Sequence, residues 1–498
     1  MGKKKSVVLI VLITIVLAGV LFLSITPTFY VSNVNRFNSL LSIVDLGSDL
    51  GDGYYTVYYP EGVISKSEYE MLEAEYEYAL ENGDSGSGSV DDPAEEYTPY
   101  KGIYLSNEFL ENGTVLQSFQ DDFDRAYEAI KSRFEARRLS DYSVRLQDDY
   151  TIRVEVPALD HDDAEADAVA QSMFQTFAYS GGLLFTDATS STASGTAEMD
   201  GTSENIRSAS TSNAGDSGYA VVINFTSAGQ EAFRELTSTL SSSDSTTLNV
   251  LLGDHTLLSA TVSEEMDQAS VYITGGYTQE SAETIATLIN CVIRDGGTFD
   301  LGFESPSYYE MSPTLGEHTA LVVAICIGVL ALAMLVFSLI KFKGMGLAHT
   351  YGFITYALAV IACISLIPAV QLTLGGVLAI LLASAIMVSC NYYAFNNIRK
   401  EFATGKTLTS SIKSGYKNSL AFTIDVHAIL VIAGLAFYLI ATAAVRYMAL
   451  VFTLAIAISA VCTLLVTRFY LYMFMAQPKN ERRRIAFVGF KREETEDD

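Results

Sequence analysis

Two ionisable residues lie within an apolar stretch near the carboxyl end of the chain. Asp425 is the only acidic residue in six long apolar runs, and His427 follows two positions later. An ionisable group inside a membrane span commonly binds and releases protons, and histidine titrates nearest neutral pH. The pair therefore indicates proton handling. Two other interpretations stay open. Asp425 lies in the first turns of its helix, where it favours the helix dipole and pairs with Lys417 or Arg399, and His427 is a hydrogen-bonded residue between helices.

Residue spacing indicates no other chemistry. No Ser-His-Asp order has supporting context, no glycine-rich loop opens a helix after a strand, and no Cys/His spacing suggests zinc. Of the five cysteines only Cys291 lies outside the apolar runs, so no disulfide is expected in the polar segment between them. We therefore expect no enzyme, no cofactor and no metal site.

Six apolar runs must position these residues. They are Ser6–Ile25, Thr319–Ile340, Tyr351–Leu372, Leu374–Phe395, Leu420–Ala444 and Met448–Tyr472. Each can cross a hydrocarbon core of about 30 Å as a helix, the form that pairs every backbone group in lipid. The first run allows two interpretations, a cleaved signal peptide or an uncleaved anchor. Its length, and the absence of a small-x-small cleavage site after it, favour the anchor.

The distribution of lysine and arginine predicts the orientation of the chain in a membrane. Sixteen lysines and arginines lie in the two tails, in the loop with Lys341 and in the loop 399–417, whereas the two short loops on the other side hold only Arg446. This bias predicts that both termini are cytoplasmic. The segment Pro27–Glu317, expected outside, has 50 acidic and 13 basic residues, although the whole chain has a net charge of -27. Such acidity argues against binding to nucleic acid or to an anionic membrane surface.

The acidic segment shows mixed periodicity. Helices are predicted over Phe123–Leu139, Asp162–Phe177, Ser227–Leu240 and Gln279–Val292, and strands over Thr151–Val156, Gly182–Phe185, Tyr219–Phe225 and Val271–Thr274. Composition predicts loose segments over Asn82–Glu96 and Thr189–Ser217. Repeated strand–helix units predict an α+β domain of ferredoxin-like type. The predicted fold class is therefore a six-helix polytopic membrane protein with a large α+β extracytoplasmic domain.

Short motifs follow one another in a fixed order. They include Leu46–Gly53 (LGSDLGDG), Ile130–Phe134 (IKSRF), Val154–Pro157 (VEVP), Phe225–Gly229 (FTSAG), Ile273–Thr278 (ITGGYT), Ser312–Gly316 (SPTLG) and Val466–Arg468 (VTR). In this order, over nearly the whole length, the chain resembles the SecD family, the larger subunit of the bacterial SecD–SecF protein-export complex. The motif positions expected to matter structurally are Asp49, Gly53, Gly275, Pro313 and Gly316.

The resemblance implies an architecture and a role. Six helices would form half of a twelve-helix bundle of resistance-nodulation-division (RND) type in the bacterial cell membrane, with a SecF-type subunit as the other half. The implied function is assistance in late translocation and release of secreted polypeptides, linked to the proton gradient. The other implied partners are the Sec channel (SecYEG), SecA and unfolded exported polypeptides.

The resemblance also divides the chain into domains. The expected parts are a cytoplasmic tail 1–5, a first membrane helix 6–26, an extracytoplasmic domain 27–317, membrane helices 318–476 and a cytoplasmic tail 477–498. Within the outer domain we expect a base at about 40–185 and 268–311, and an inserted head at about 186–267.

The fourth helix departs from the family. Ser389 stands where the family has a carboxylate, whereas Asn391 and Arg399 keep the family identity. Serine cannot carry a proton at physiological pH, and we expect Asn391 to hydrogen-bond between helices. In the fifth helix Asp425 matches a family acid. Two alternative functions follow: a SecD-like scaffold or chaperone without proton coupling, and an RND-type transporter of small molecules or lipids.

Overall fold

Two compact units make up the chain, a helical unit (Met1–Asp52 and Ser312–Asp498) and an α+β unit (Gly53–Met311). The computed structural model describes residues 3–26, 29–30, 36–37, 40, 44, 46–82, 91–139, 141–158, 163–190, 195, 197–242, 247–294, 297–304, 307–367, 370–476 and 481–489. The helical unit begins with α1 (Lys3–Ile25), followed by the paired short strands β1 (Phe29–Tyr30) and β2 (Arg36–Phe37).

Among its described residues the α+β unit alternates short strands with six α-helices, α2 to α7. Its elements are β3 (Gly53–Tyr58), β4 (Val63–Ser65), α2 (Lys66–Asn82), α3 (Pro93–Glu96), β5 (Tyr97–Tyr100), β6 (Ile103–Ser106), β7 (Leu110–Glu111), β8 (Thr114–Val115), α4 (Gln117–Arg137), β9 (Ser143–Leu146), β10 (Ile152–Pro157), α5 (Asp163–Ala178), β11 (Leu183–Thr186), β12 (Glu198–Asp200), β13 (Ile206–Asn213), β14 (Tyr219–Phe225), α6 (Ser227–Ser241), β15 (Thr247–Leu252), β16 (His255–Thr261), β17 (Ser270–Tyr277), α7 (Gln279–Val292) and β18 (Tyr308–Met311).

 All eight predicted helices and strands are present: β14 and α7 have the predicted bounds, and the other six have shifted ends.

The described residues of the α+β unit form two four-stranded and two three-stranded antiparallel sheets, besides the short pair β7-β8. The strand orders are β18-β3-β10-β9, β12-β11-β15-β16, β13-β14-β17 and β4-β6-β5. In the first sheet Gly53 at the start of β3 pairs with Met311 on one side and with Pro157 on the other. A Cβ atom at Gly53 would lie 2.6 Å from the Val156 carbonyl oxygen, so only glycine fits there. Because β18 lies beside β3, the chain enters and leaves the unit on neighbouring strands.

The prediction of a loose segment over Thr189–Ser217 is wrong for residues 198–200 and 206–213, whereas residues 191–194 and 196 lie outside the described residues. Residues 198–200 form β12, and residues 206–213 form β13, which pairs along its length with the central strand β14. Ile206 and Ala209 are buried in the core. Backbone pairing with β14 and these two apolar side chains outweigh the Ser/Thr-rich composition that suggested a loop. In the other predicted loose segment, residues 83–90 lie outside the described residues, and residues 93–96 form α3.

A buried arginine joins the helices of the α+β unit to its core. Arg133 on α4 is fully buried, and its guanidinium donates hydrogen bonds to the carbonyls of Phe177 (2.8 Å), Tyr179 (2.7 Å) and Gly297 (3.3 Å). The guanidinium also lies 4.6 Å from the centre of the Phe299 ring. Burial lowers the pKa of Arg133 to about 10, so the side chain stays charged at neutral pH. It therefore supplies donors to carbonyls at and just beyond the carboxyl end of α5.

The helical unit continues with long apolar helices. They are α8 (Thr319–Phe342), α9 (Gly344–Ser365), α10 (Leu374–Ala403), α11 (Leu408–Ile440), α12 (Ala443–Val461) and α13 (Thr467–Met475), with a π-helical turn at Cys462–Val466 and a final short helix, α14 (Glu481–Val488). Within the described residues six helices, counting α12 to α13 as one, are long and apolar enough to cross a membrane. The predicted fold class, a polytopic helical protein with a large α+β domain, is confirmed, and the chain is a multi-pass membrane protein.

The third, fourth and fifth membrane helices differ most in extent from the apolar runs. The third begins at Gly344 rather than Tyr351, because Lys343 adopts a left-handed conformation (φ 51°) that turns the chain directly from α8 into α9. The fifth begins at Leu408, twelve residues before its apolar run, with Thr407 as its N-cap. The predicted loop 399–417 is therefore mostly helical, since α10 extends to Ala403.

Candidate functional site

The early motif caps the amino end of α10. One carboxylate oxygen of Asp49 accepts a hydrogen bond from the Leu374 backbone N–H at 2.7 Å, and the Thr373 hydroxyl accepts one from Gly376 N–H at 3.1 Å. The Gly47 N–H donates to the Leu372 carbonyl at 3.1 Å, which holds the motif against this helix end. A carboxylate at a helix amino terminus is stabilised by the helix dipole. Asp49 is therefore a structural capping residue.

The remaining motif positions lie in one turn and in a strand. Pro313 is buried, and its carbonyl accepts a 2.8 Å hydrogen bond from Gly316, whose φ of +105° suits glycine. This turn precedes α8. Gly275 lies in β17 of the α+β unit, where an added Cβ would come within 2.7 Å of the Tyr277 ring. These positions shape the backbone and carry no reactive group.

Ser389 and Asn391 face different sides of α10. Ser389 is exposed, and its hydroxyl donates to the Ala385 carbonyl one turn earlier at 2.8 Å. Asn391 is fully buried, but its amide donates to Met387 O at 3.1 Å within the same helix, rather than to another helix as expected. Its Oδ1 has no hydrogen-bond partner among the described residues. The intrahelical bond arises because the carbonyl one turn earlier lies within reach of the side chain.

Asp425 and His427 do not meet. Asp425 is exposed on α11, whereas His427 is buried, because residues two apart point to nearly opposite sides of a helix. The two ring nitrogens of His427 lie 2.7 Å from Thr423 O and 2.8 Å from Ser459 Oγ on α12. The interpretation of His427 as a hydrogen-bonded residue between helices agrees with this geometry. Within the described part of the chain, Asp425 has no hydrogen bond or ion pair.

Arg399 binds main-chain carbonyls rather than Asp425. Its guanidinium donates to Val488 O at 3.0 Å, to Gly489 O at 3.5 Å and to the carbonyl of Lys341. It also lies 4.5 Å from the centre of the Phe342 ring. Arg399 thus joins the carboxyl ends of α8 and α14, where carbonyls lack helical partners. The expected pairing of Asp425 with Arg399 is absent.

The sequence analysis missed a buried histidine. His349 on α9 is fully buried near the rings of Phe353, Tyr392 and Phe395, and neither ring nitrogen has a hydrogen-bond partner among the described residues. The third apolar run was predicted to begin at Tyr351, which placed His349 outside the membrane. The early start of α9 at Gly344 places it inside the helix bundle. No sequence signal indicated this, because Gly344 and Gly346 in the intervening segment are typical of a turn.

The α+β unit has an acidic cleft of about 880 Å³. Its acidic lining residues are Glu61, Asp91, Asp92, Glu95, Glu96, Glu108, Asp122 and Asp300. Partial burial, together with repulsion from Glu68 and Glu61, raises the pKa of the neighbouring Glu304 carboxyl. No group of three or more metal-ligating side chains that could hold an ion occurs among the described residues.

Comparison with known proteins finds similarity to SecD proteins. Residues 176–291 match the family model of the SecDF P1 head subdomain. Protein translocase subunit SecD of Prochlorococcus marinus is 28% identical over 278 residues, which cover 54% of each chain. SecD of Dehalococcoides mccartyi is 24% identical over 374 residues, 71% of this chain and 81% of that protein. The chain is therefore similar to SecD proteins over much of its length, and to the SecDF P1 head subdomain over residues 176–291.

A solved structure shares the fold. The crystal structure of SecDF in the super-membrane-facing form aligns with 93% of this chain and 57% of its own chain, with a TM-score of 0.56 and 18% identity. The alignment covers most of both the helical and the α+β unit. This chain spans little more than half of some SecD relatives, for example 56% of SecD from Dictyoglomus turgidum, which is 26% identical over 230 residues.

Proposed function

We propose that this SecD-like chain is an auxiliary subunit of the Sec protein-export machinery. It assists late translocation and release of secreted polypeptides, and its action is linked to the proton gradient. The observation that carries the proposal is the match to SecD proteins, together with a SecDF-like fold in which an α+β unit is inserted after the first membrane helix. The acidic α+β unit would bind unfolded polypeptide transiently, and the helical unit would drive its movement.

The proposed location is the bacterial cell membrane, with both termini cytoplasmic and the α+β unit outside. The support is the distribution of lysine and arginine, sixteen of which flank the spans on one side. The domain division follows from this topology: tails at 1–5 and 477–498, membrane helices at 6–26 and 318–476, and an outer domain at 27–317. Within the outer domain we keep the proposed head at about 186–267; the matched family model covers a wider range, 176–291.

The proposed direct partner is a SecF-type subunit. Ser389, Tyr393 and Asn396 lie three and four residues apart and are all exposed on α10, and Asp425 is exposed on α11. Polar groups facing hydrocarbon are costly, so a face of this kind is expected to be covered by protein. A second six-helix half would cover it. The Sec channel (SecYEG), SecA and exported polypeptides are the further partners proposed.

One observation favours a second candidate, a SecD-like scaffold or chaperone without proton coupling. Ser389 occupies the position of the family's fourth-helix carboxylate, and its hydroxyl bonds only to its own helix in the described residues. In that case the chain would bind substrate or channel without using the gradient.

The two candidates make different predictions for export. Depletion of the chain from its native cells should slow the appearance of secreted proteins outside, and the purified chain should retain the Sec channel and a SecF-type protein. Normal secretion after depletion, with no Sec component retained, would contradict both candidates. A protonophore that slows export equally with and without the chain would favour the scaffold.

A further inference from the structure

A groove among three membrane helices is lined entirely by apolar residues. It lies between α10, α11 and α12, has a volume of about 330 Å³, and follows α10 from Gly375 to Leu382. That length of helix is about 10 Å, or two thirds of one leaflet when the hydrocarbon core is about 30 Å thick. Because α10 begins, α11 ends and α12 begins on this side of the membrane, the groove extends from the helix ends into one leaflet.

Small residues form the floor of the groove, and large residues form its walls. The floor residues are Gly375, Ala379, Gly434 and Ala449, and the wall residues include Leu378, Leu382, Phe437 and Val445. Ala379 and Ala449 are buried, whereas these four wall side chains are at least 50% exposed. A low floor between projecting apolar side chains has the shape that an extended hydrocarbon chain fits.

The size of the groove favours an acyl chain over a helix of a partner protein. A helix is about 10 Å across, so a 10 Å length of it fills about 800 Å³, more than twice the volume of the groove. The polar positions of α10 that need protein cover, Ser389 and Asn396, lie nearer the other end of this helix. At the Leu378 end the exposed side chains are apolar, and hydrocarbon suffices to cover them.

A guanidinium lies at the end of the groove. Arg446 follows the wall residue Val445 in the first turn of α12, and its Nε donates a 3.3 Å hydrogen bond to the carbonyl of Tyr438, the residue after Phe437. The other guanidinium nitrogens have no hydrogen bond within the described part of the chain. Arg446 is the only lysine or arginine in the connecting segments 366–373 and 441–447 on this side. It is therefore available to an anionic group at the membrane surface.

The amino end of α12 adds further donors beside Arg446. Its N-cap residue, Thr442, makes no side-chain capping hydrogen bond, so the first N–H groups of the helix lack that partner. Helix amino termini and guanidinium groups both bind phosphate. Asp49 also lies at these helix ends, but on the α10 side, where its carboxylate already accepts the Leu374 N–H. Charge complementarity therefore places an anionic headgroup at α12.

We propose that this groove binds a phospholipid, with one acyl chain between α10, α11 and α12 and the phosphate at Arg446 and the amino end of α12. The bound chain would contact all three helices and fill the space between their ends. This site goes beyond the proposed export function and does not depend on it.

Photolabelling of the full chain tests the proposal. The protein, purified from its native membranes with any bound partner, would be placed in nanodiscs with phosphatidylglycerol that carries a diazirine in one acyl chain, or with the matching diacylglycerol, which lacks the phosphate. Mass spectrometry would compare labelling of the groove with labelling of the exposed α8 residues 321–325. Phosphatidylglycerol should label the groove about tenfold more than α8, and diacylglycerol should label both alike, since a hydrogen bond to a charged group contributes about tenfold in affinity.

Two variants separate the headgroup from the acyl chain. Arg446→Gln should lower groove labelling by phosphatidylglycerol about tenfold, whereas Lys400→Gln, at the opposite end of α10, should not. Gly375→Leu would fill the groove, because an added Cβ first meets the flexible Met448 side chain at 3.1 Å. It should abolish groove labelling by both probes, whereas Gly328→Leu, at an open position on α8, should leave groove labelling unchanged.

Three results would overturn the proposal. Equal labelling of the groove and α8 by phosphatidylglycerol would mean that the groove holds only bulk lipid. Wild-type labelling in Arg446→Gln would remove the phosphate contact. A groove that neither probe labels, while a co-purified protein crosslinks to it, would make it a protein-docking surface. If Gly375→Leu does not accumulate, the comparison of Arg446→Gln with Lys400→Gln decides alone, and no result depends on export activity.

Discussion

Replacement of Arg133 by methionine tests how the α+β unit is held together. Methionine keeps much of the apolar stem but removes the guanidinium, so the carbonyls of Phe177, Tyr179 and Gly297 lose their donor. Arg133 is fully buried, and water cannot replace the donor without opening the core. We expect the free energy of unfolding of this unit to fall.

The magnitude follows from two opposing contributions. The two short hydrogen bonds end on Phe177 and Tyr179, and a buried carbonyl left without a donor costs about 1–3 kcal/mol. Removal of a buried cation recovers part of this cost, because its desolvation penalty also disappears. The expected net loss is about 2–3 kcal/mol. At about 2–4 °C per kcal/mol for a domain of this size, Tm should fall by about 4–12 °C.

Labelling of the Cys291 thiol can measure the unfolding of the α+β unit. Cys291 is the only cysteine of the α+β unit and it is buried, whereas the chain has no tryptophan for fluorescence. Burial raises the pKa of the Cys291 thiol, so a water-soluble maleimide should label it mainly in unfolded molecules. Labelling of the full chain in detergent would be followed against urea concentration, with mass spectrometry of the Cys291 peptide. Linear extrapolation then gives the free energy.

Arg125→Met is the matched control. Arg125 lies on the same helix, two turns earlier, but is exposed and pairs with Asp122 at the surface. Surface ion pairs of this kind contribute little, so the control should change stability by less than about 0.5 kcal/mol. If Arg133→Met unfolds at the same urea concentration as the control, the inferred role of the buried guanidinium is refuted.

Three further predictions concern single side chains. Asp49→Ala should destabilise the first turn of α10 by about 1 kcal/mol, visible as faster hydrogen exchange of the Leu374 amide, and an unchanged rate would contradict the capping role. Arg399→Ala should release α14 and increase trypsin cleavage at residues 482–484; unchanged cleavage would show that the contact does not hold the helix. The raised pKa of Glu304 means that the folded unit binds more protons just above pH 4.5, so the contribution of this group to stability falls as pH rises through the raised pKa. Glu304→Gln should therefore gain stability relative to wild type at pH 7 but not at pH 4, by no more than about 0.5 kcal/mol since water screens the group, and an equal effect at both pH values would refute the cause.

Local periodicity was sufficient to predict most regular elements. Residues 219–225 alternate as a strand and form β14, and residues 279–292 form α7 as predicted. The strand β13 could not be predicted, because its Ser/Thr-rich sequence acquires β structure by pairing with β14. Similarly, an apolar run marks only the part of a helix that faces lipid. It could not show that α11 begins twelve residues before its run, in a more polar segment.

The candidate site was only partly predictable for a related reason. The sequence predicted Asp425 as an acid within an apolar run, and the geometry of a helix separates it from His427. The partner of His427 is Ser459, which lies 32 positions away and is brought into contact by the packing of α11 on α12. Likewise, the contact of Arg399 with Val488 depends on where the final helix docks. Such long-range contacts leave no spacing pattern in the chain.

The adjacent positions of β3 and β18 have a consequence for protein engineering. Gly53 and Met311 are direct cross-strand neighbours, so their Cα atoms lie about 4.5–5.5 Å apart. A two-residue tight turn can bridge such a gap. The whole insertion can thus be exchanged for a short hairpin connection, or for a foreign domain whose termini are equally close, without stretching the polypeptide on either side of the splice.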